Sequence, residues 1–141
     1  MKNRKYIKIG ILSLFLLSGL TVMAAAETLV SINPPTENVA NEETFTINIS
    51  IDPDTSIAGA QLDLSFNASL LSAESVTEGD LLNQNGASTY FSPGTIDNTA
   101  GTITGVAGAI ITPGETVSTP GTFATIQMTA KSTSGTSPLN L

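Results

Sequence analysis

Residues 57–82, IAGAQLDLSFNASLLSAESVTEGDLL, hold two apolar runs separated by a polar corner. In the first run Leu62, Leu64 and Phe66 alternate with Gln61, Asp63 and Ser65. A period of two sends neighbouring side chains to opposite faces of a strand, so one row meets a core and the other meets water. Asn67-Ala68-Ser69 makes the corner, residues 70–76 make the second run, and Thr77-Glu78-Gly79-Asp80 closes it as an acidic glycine turn before Leu81-Leu82. Strand, corner, strand and turn set the unit around which the remaining strands must be arranged.

The flanking sequence has the same character. Residues 28–32 read as a short strand stopped by Asn33-Pro34-Pro35, because proline cannot donate to a ladder. Residues 43–51 form the clearest strand, with Phe45, Ile47, Ile49 and Ile51 on one face and Thr44, Thr46, Asn48 and Ser50 on the other. Residues 52–56 (DPDTS) have turn chemistry, and 87–92 (ASTYFS) form a strand ended by Pro93-Gly94. After a turn at 97–101 comes a strand from 102 to about 111, in which Gly105 and Gly108 mark bulges or a close approach of another backbone. A loop at 112–120 precedes a strand at 122–131 with Ala124, Ile126, Met128 and Ala130 inward. Roughly eight short strands separated by turns, without a convincing helix, predict an all-β antiparallel sandwich.

Residues 1–26 stand apart. Lys2, Arg4, Lys5 and Lys8 precede an apolar run from 9 to 22, and Ala24-Ala25-Ala26 offers small residues for cleavage. This is the pattern of a secretory signal peptide, with residues 27–141 as the exported domain; an uncleaved anchor is the alternative and the one route to a membrane. Without that segment Lys131 alone faces twelve acids, a net charge of −11 for residues 27–141. Such a domain has no cluster of Lys and Arg with which to neutralise phosphate, which excludes nucleic acid as a partner. Cysteine is absent, so an exported fold must hold together by its core.

The residue inventory also argues against catalysis. Without His or Cys the common nucleophile–base pairs cannot be built, and the near carboxylate pairs Glu42/Glu43, Asp52/Asp54 and Glu78/Asp80 fall in turns or at strand ends. Zinc is excluded on the same ground. Asp52-x-Asp54 and Glu78-x-Asp80 place hard oxygens in loops, as calcium sites do, but neither continues into an EF-hand loop. Stacking on sugar rings needs exposed aromatic faces, and Tyr90 is the one ring expected outside. Asn48-Ile49-Ser50 and Asn67-Ala68-Ser69 match the N-glycosylation sequon, with Asn67 at a corner the better placed of the two.

The series Ile57-Ala58-Gly59-Ala60-Gln61-Leu62-Asp63-Leu64-Ser65-Phe66, then Ser75-Val76-Thr77-Glu78-Gly79-Asp80-Leu81-Leu82, resembles cohesin domains. Phe91-Ser92-Pro93, Gly101-Thr102-Ile103-Thr104, the Gly121-Thr122-Phe123 strand and Gly135-Thr136-Ser137-Pro138 follow in that family's order. The resemblance implies a jelly-roll sandwich and a non-catalytic module that docks dockerin-bearing proteins, in an extracellular setting often concerned with polysaccharide breakdown. Any calcium would belong mainly to the dockerin. It further implies that one sheet face binds the partner, and by position Gly59, Gln61, Asp63, Tyr90 and Thr104 are expected on it. The family commonly has Asn and Asp where this chain has Gly59 and Gln61, so the dockerin class is not given by the resemblance. It also implies a final strand beyond Leu141 that pairs with the first. A structural or adhesive surface-layer sandwich and a carbohydrate-binding module are the alternatives.

Overall fold

The computed structural model describes residues 27–141; the expected signal peptide lies outside the described residues. Eight strands are present: β1 (Leu29–Asn33), β2 (Thr44–Asp52), β3 (Gly59–Ser65), β4 (Leu71–Glu78), β5 (Thr89–Ser92), β6 (Thr95–Asp97), β7 (Thr102–Ile110) and β8 (Gly121–Ala130). No helix occurs among the described residues. The strands form two antiparallel sheets. One has the order β1-β2-β8-β4, and the other runs β3-β7-β5 with β6 beside β5 on the same edge of β7.

The apolar rows of both sheets meet in one core. Ile47, Ile49 and Ile51 of β2 and Ile126 and Met128 of β8 come from the first sheet. Leu64, Ile103 and Val106 come from the second, and Phe66, Leu81, Leu82 and Val117 close the ends. Each of these would lose about 1.5–3 kcal/mol of favourable transfer free energy if left exposed, which fixes which face of every strand points inward. Phe123 and Ala124 are adjacent yet both buried. A bulge explains this: Ile49 pairs Ala124 while Ser50 pairs Thr122, leaving Phe123 as the extra residue. The Phe123 ring then meets Phe91 of the opposite sheet edge to face, with centroids 5.9 Å apart.

The two halves of the 57–82 unit do not pair. β3 lies in the second sheet and β4 in the first, so the polar corner is a crossing between layers. Asn67 builds it by accepting the Ser69 N–H at 2.9 Å, and Lys131 clamps it by donating to the Ala68 carbonyl at 2.5 Å. The acidic glycine turn extends the β4–β8 ladder. Gly79 donates to Phe123 O at 3.0 Å, Leu81 donates to Thr122 O at 2.8 Å, and Asp80 accepts the Thr122 N–H at 2.8 Å. A Cβ on Gly79 would overlap the Thr122 carbonyl, so no larger residue fits.

One expectation needs correcting. Pro93-Gly94 ends β5, but the chain re-enters the sheet at once as β6, with Thr95 opposite Thr104 and Asp97 opposite Thr102. Three residues are too few to show a period, so this strand has no signature of its own. Near Leu141 the chain makes a single antiparallel bridge, in which Asn140 exchanges both backbone bonds with Ser65 of β3. Among the described residues β1 pairs with β2 alone. Leu29 and Val30 stand exposed on it, beside an open trough of about 970 Å³ that also runs past Ile32, Phe45 and Leu139.

Candidate docking face

The second sheet turns one face to the core and one outward. Alternation along β3 puts Gly59, Gln61, Asp63 and Ser65 outside, with Leu62 and Leu64 beneath. On β7, Ile103 and Val106 are both buried although three positions apart. The register skips there: Leu62 pairs Val106 and Leu64 pairs Ile103, so Asp63 lies opposite both Thr104 and Gly105. Gly105 makes this bulge with φ of 71°, a left-handed conformation that costs glycine little. Beyond it the parity of β7 resets, and Ala107 and Ala109 face outward. Gly108 then faces the core, where a Cβ would come within 2.9 Å of Leu82 and 3.0 Å of Phe123. Of the two glycines singled out in this strand, Gly105 is therefore the bulge, whereas Gly108 is closed in by side chains and not by another backbone.

Register joins the outward residues into rows across the sheet. Gly59, Ala109 and Tyr90 form one row, Gln61, Ala107 and Ser92 a second, and Ser65, Thr102 and Asp97 a third. Thr104 stands between the last two, beside Asp63 on one side and Thr95 on the other. All five expected positions, Gly59, Gln61, Asp63, Tyr90 and Thr104, thus share this outer face. Its middle strand carries nothing larger than threonine, so the floor is shallow and long side chains stand only on the flanking strands. Tyr90 is 61% exposed at one margin, directly before the core-facing Phe91. Gly59 fits the fold closely as well: a Cβ there would meet the Gly108 carbonyl at 2.6 Å.

The electrostatics are simple. Asp63 Oδ1 accepts the Gly105 N–H at 2.6 Å, which holds the bulge. Asp97 Oδ1 accepts the Thr99 and Ala100 N–H groups, each at 2.9 Å. These bonds stabilise the ionised carboxylate, so the Asp97 pKa lies below its ordinary value of 3.8. Among the described residues no basic side chain lies on this face. Gln61, Tyr90, Thr95, Thr102 and Thr104 make no side-chain hydrogen bond to any described residue, and their polar groups point to solvent.

Of the four calcium candidates two are engaged in the fold, while Asp52 makes no side-chain hydrogen bond to a described residue and Glu78 Oε1 is buried without a partner among them. Asp54 accepts the Thr28 hydroxyl at 2.7 Å, and Asp80 caps Thr122. Among the described residues no group of three or more His, Cys, Asp or Glu side chains is placed to hold a metal ion. Ala107, Ala109, Thr102, Ser92 and Asp97 belong to the face but escaped the sequence reading. The bulge at Gly105 was the signal that could have found the first two, because it inverts the parity of every residue after it.

The sequence matches the family profile described as Cohesin domain over residues 30–140. The chain belongs to the cohesin family. Its fold agrees with solved cohesin structures. A chain of a type II cohesin–X–dockerin complex from Acetivibrio cellulolyticus aligns with a TM-score of 0.60 at 15% identity, over 82% of this chain and 78% of that one. A type I cohesin–dockerin complex from Clostridium thermocellum gives 0.59 at 18% identity, over 82% and 81%. The seventh ScaB type I cohesin from Pseudobacteroides cellulosolvens gives 0.52 at 20% identity, over 81% and 74%. At these identities the likeness establishes a cohesin jelly roll, and it spans both types. A search of curated proteins finds no match.

Proposed function

We propose that this cohesin is a non-catalytic docking module that binds a dockerin-bearing protein through the outer face of the β3-β7-β5 sheet. One observation carries the assignment of the face. The amide, hydroxyl and phenol groups of Gln61, Tyr90, Thr95, Thr102 and Thr104 have no partners among the described residues, whereas several polar groups of the opposite sheet bond one another across strands, Thr46 and Gln127 excepted. Thr44 and Thr129 hydroxyls lie 3.1 Å apart, Thr125 donates to Asn48 at 3.0 Å, and Asn33 donates to Ser50 at 3.0 Å. Polar groups that face water in the free protein can exchange those bonds for bonds to a partner at little cost, while internally paired groups must first break theirs.

The face is part of a sheet whose reverse side is packed into the core, so docking proceeds with little rearrangement. The flat floor over Thr102, Thr104, Ala107 and Ala109 suits a partner element lying across the strands, with Gln61, Asp63 and Tyr90 at the margins fixing its register. The solved complexes named above pair cohesins with dockerins, and family membership brings that partner class to this chain. In keeping with the signal-peptide pattern, we place the module outside the cell, in an assembly of the kind that degrades polysaccharide. Calcium then resides on the dockerin.

Titration calorimetry of the protein against type I and type II dockerins, in calcium and in EDTA, tests this. Calcium-dependent binding by one type, weakened in a Gln61→Ala/Tyr90→Ala variant that keeps its thermal unfolding transition, is the expected result. A folded protein that binds neither type overturns the reading.

A further inference from the structure

The outer face is not uniform from end to end. The row Gly59–Ala109–Tyr90 is uncharged, small in the middle and aromatic at its edge. At the other end, Asp63 on β3 and Asp97 on β6 flank the hydroxyls of Thr102 and Thr104. We propose that this polarity fixes the orientation of the docked partner, with a basic side chain set against Asp63 and an apolar contact set against Tyr90 and Ala109. This rests on the docking face argued above and adds the chemistry the partner must present.

Asp63 is prepared for that role by the bulge. Its Oδ1 is held by the Gly105 N–H at 2.6 Å, which anchors one carboxylate oxygen, and its second oxygen has no partner among the described residues. The Thr104 hydroxyl stands beside Asp63 on the outer face, so a lysine or arginine head set against Asp63 also meets a hydroxyl acceptor. Asp97 adds negative potential at the same end, but its Oδ1 is bonded within its own turn. Among the described residues the only cation is Lys131, which is bonded to the Ala68 carbonyl at the layer crossing. A carboxylate with one oxygen anchored by a backbone N–H offers a charge-assisted bond with little ordering cost, a favourable setting for discrimination.

The test uses the dockerin that binds the unaltered protein, titrated against Asp63→Asn and Tyr90→Ala at about 0.1 M and about 1 M salt, where charge interactions reach about 10 Å and about 3 Å respectively. The amide oxygen introduced by Asp63→Asn can still accept the Gly105 N–H, so the bulge survives and the change removes charge alone. Asp63→Asn is expected to weaken binding about tenfold at low salt and to match the unaltered protein at high salt. Tyr90→Ala is expected to weaken it by a similar factor at both. Affinity unchanged in Asp63→Asn at low salt, or a loss that persists undiminished at high salt, overturns the inference while leaving the docking reading intact. Failure of every dockerin to bind the unaltered protein overturns the docking reading itself, and this inference with it.

Discussion

The outer faces of the two sheets are both rich in threonine and other polar residues but differ in how many of those side chains bond one another. On the β1-β2-β8-β4 sheet, Thr44, Asn48, Ser50, Thr125 and Thr129 stand in cross-strand rows and are joined side chain to side chain. On the β3-β7-β5 sheet, the side chains of Gln61, Tyr90, Thr102 and Thr104 are joined to no described residue, and the one long-range side-chain bond is Asp63 to Gly105. The middle strands differ too. β8 carries Gln127, Thr125 and Thr129 outward, while β7 carries small residues and a bulge. A polar strand face is therefore not in itself a binding surface. On the proposed reading, what distinguishes the second face is a floor low enough for close approach and polar groups without internal partners.

The largest test of that contrast is bulk at the centre of each face. Ala109→Arg places a long side chain on the floor of the second sheet and is expected to lower dockerin affinity about 100-fold, in the range of a central hot-spot loss. Gln127→Arg adds the same charge at the centre of the first sheet and is expected to leave affinity within about twofold, as an exposed change remote from the contact. Calorimetry on both variants, with urea unfolding to show that each is folded, gives the comparison. Equal losses would break it, because they would mean that charge or global destabilisation, not position, governs binding.

Much of this was readable in the sequence, and the part that was not has a definite cause. The rows Phe45–Ile47–Ile49–Ile51 and Leu62–Leu64–Phe66 follow a period of two without interruption, so strand, face and core membership are all visible in them. The same alternation fails wherever a bulge intervenes. In TITGVAGAI a strict period starting from Ile103 would send Ala107 and Ala109 inward; the extra residue at Gly105 sends them outward and makes the floor of the face. Phe123 and Ala124 show the same effect in β8. Val117 was hidden for another reason: it is 3% exposed but belongs to a loop, held there by exchanging both backbone bonds with Ile57. Hydrogen-bond pairing between faces is a property of register, and a lone strand carries no register. No reading of composition could separate Thr104 from Thr125.

Those two threonines give the next test. Thr125→Val keeps the shape of the side chain but strips Asn48 of its 3.0 Å donor, and is expected to cost about 0.5–1.5 kcal/mol of stability with dockerin binding unchanged. Thr104→Val removes a hydroxyl that no described residue uses, and is expected to leave stability within about 0.5 kcal/mol while weakening dockerin binding several-fold. Denaturant midpoints and calorimetry on the same two proteins decide it. A stability loss for Thr104→Val matching that of Thr125→Val would show that the second face is internally bonded after all.

The smallest expected effect separates the faces by pH. Asp97, at the acidic end of the second face, has its pKa lowered from 3.8 by the Ala100 and Thr99 N–H groups. A carboxylate whose folded pKa is depressed binds protons more readily in the unfolded chain. Its contribution to stability is therefore fully present above the ordinary value and lost as pH falls through the folded one. Asp97→Asn keeps a side-chain oxygen for the same turn but cannot titrate. The variant is expected to match the unaltered protein below the folded pKa and to trail it slightly near pH 7, so the two urea-midpoint curves converge on acidification. The cross-strand bonds Thr44–Thr129, Thr125–Asn48 and Asn33–Ser50 on the first sheet join neutral hydroxyls and amides, which do not titrate in this range. Thr125→Val is accordingly expected to lower the midpoint by the same amount at every pH. Curves for Asp97→Asn that run parallel to those of the unaltered protein would mean that the turn beneath the acidic end owes nothing to the charge of Asp97.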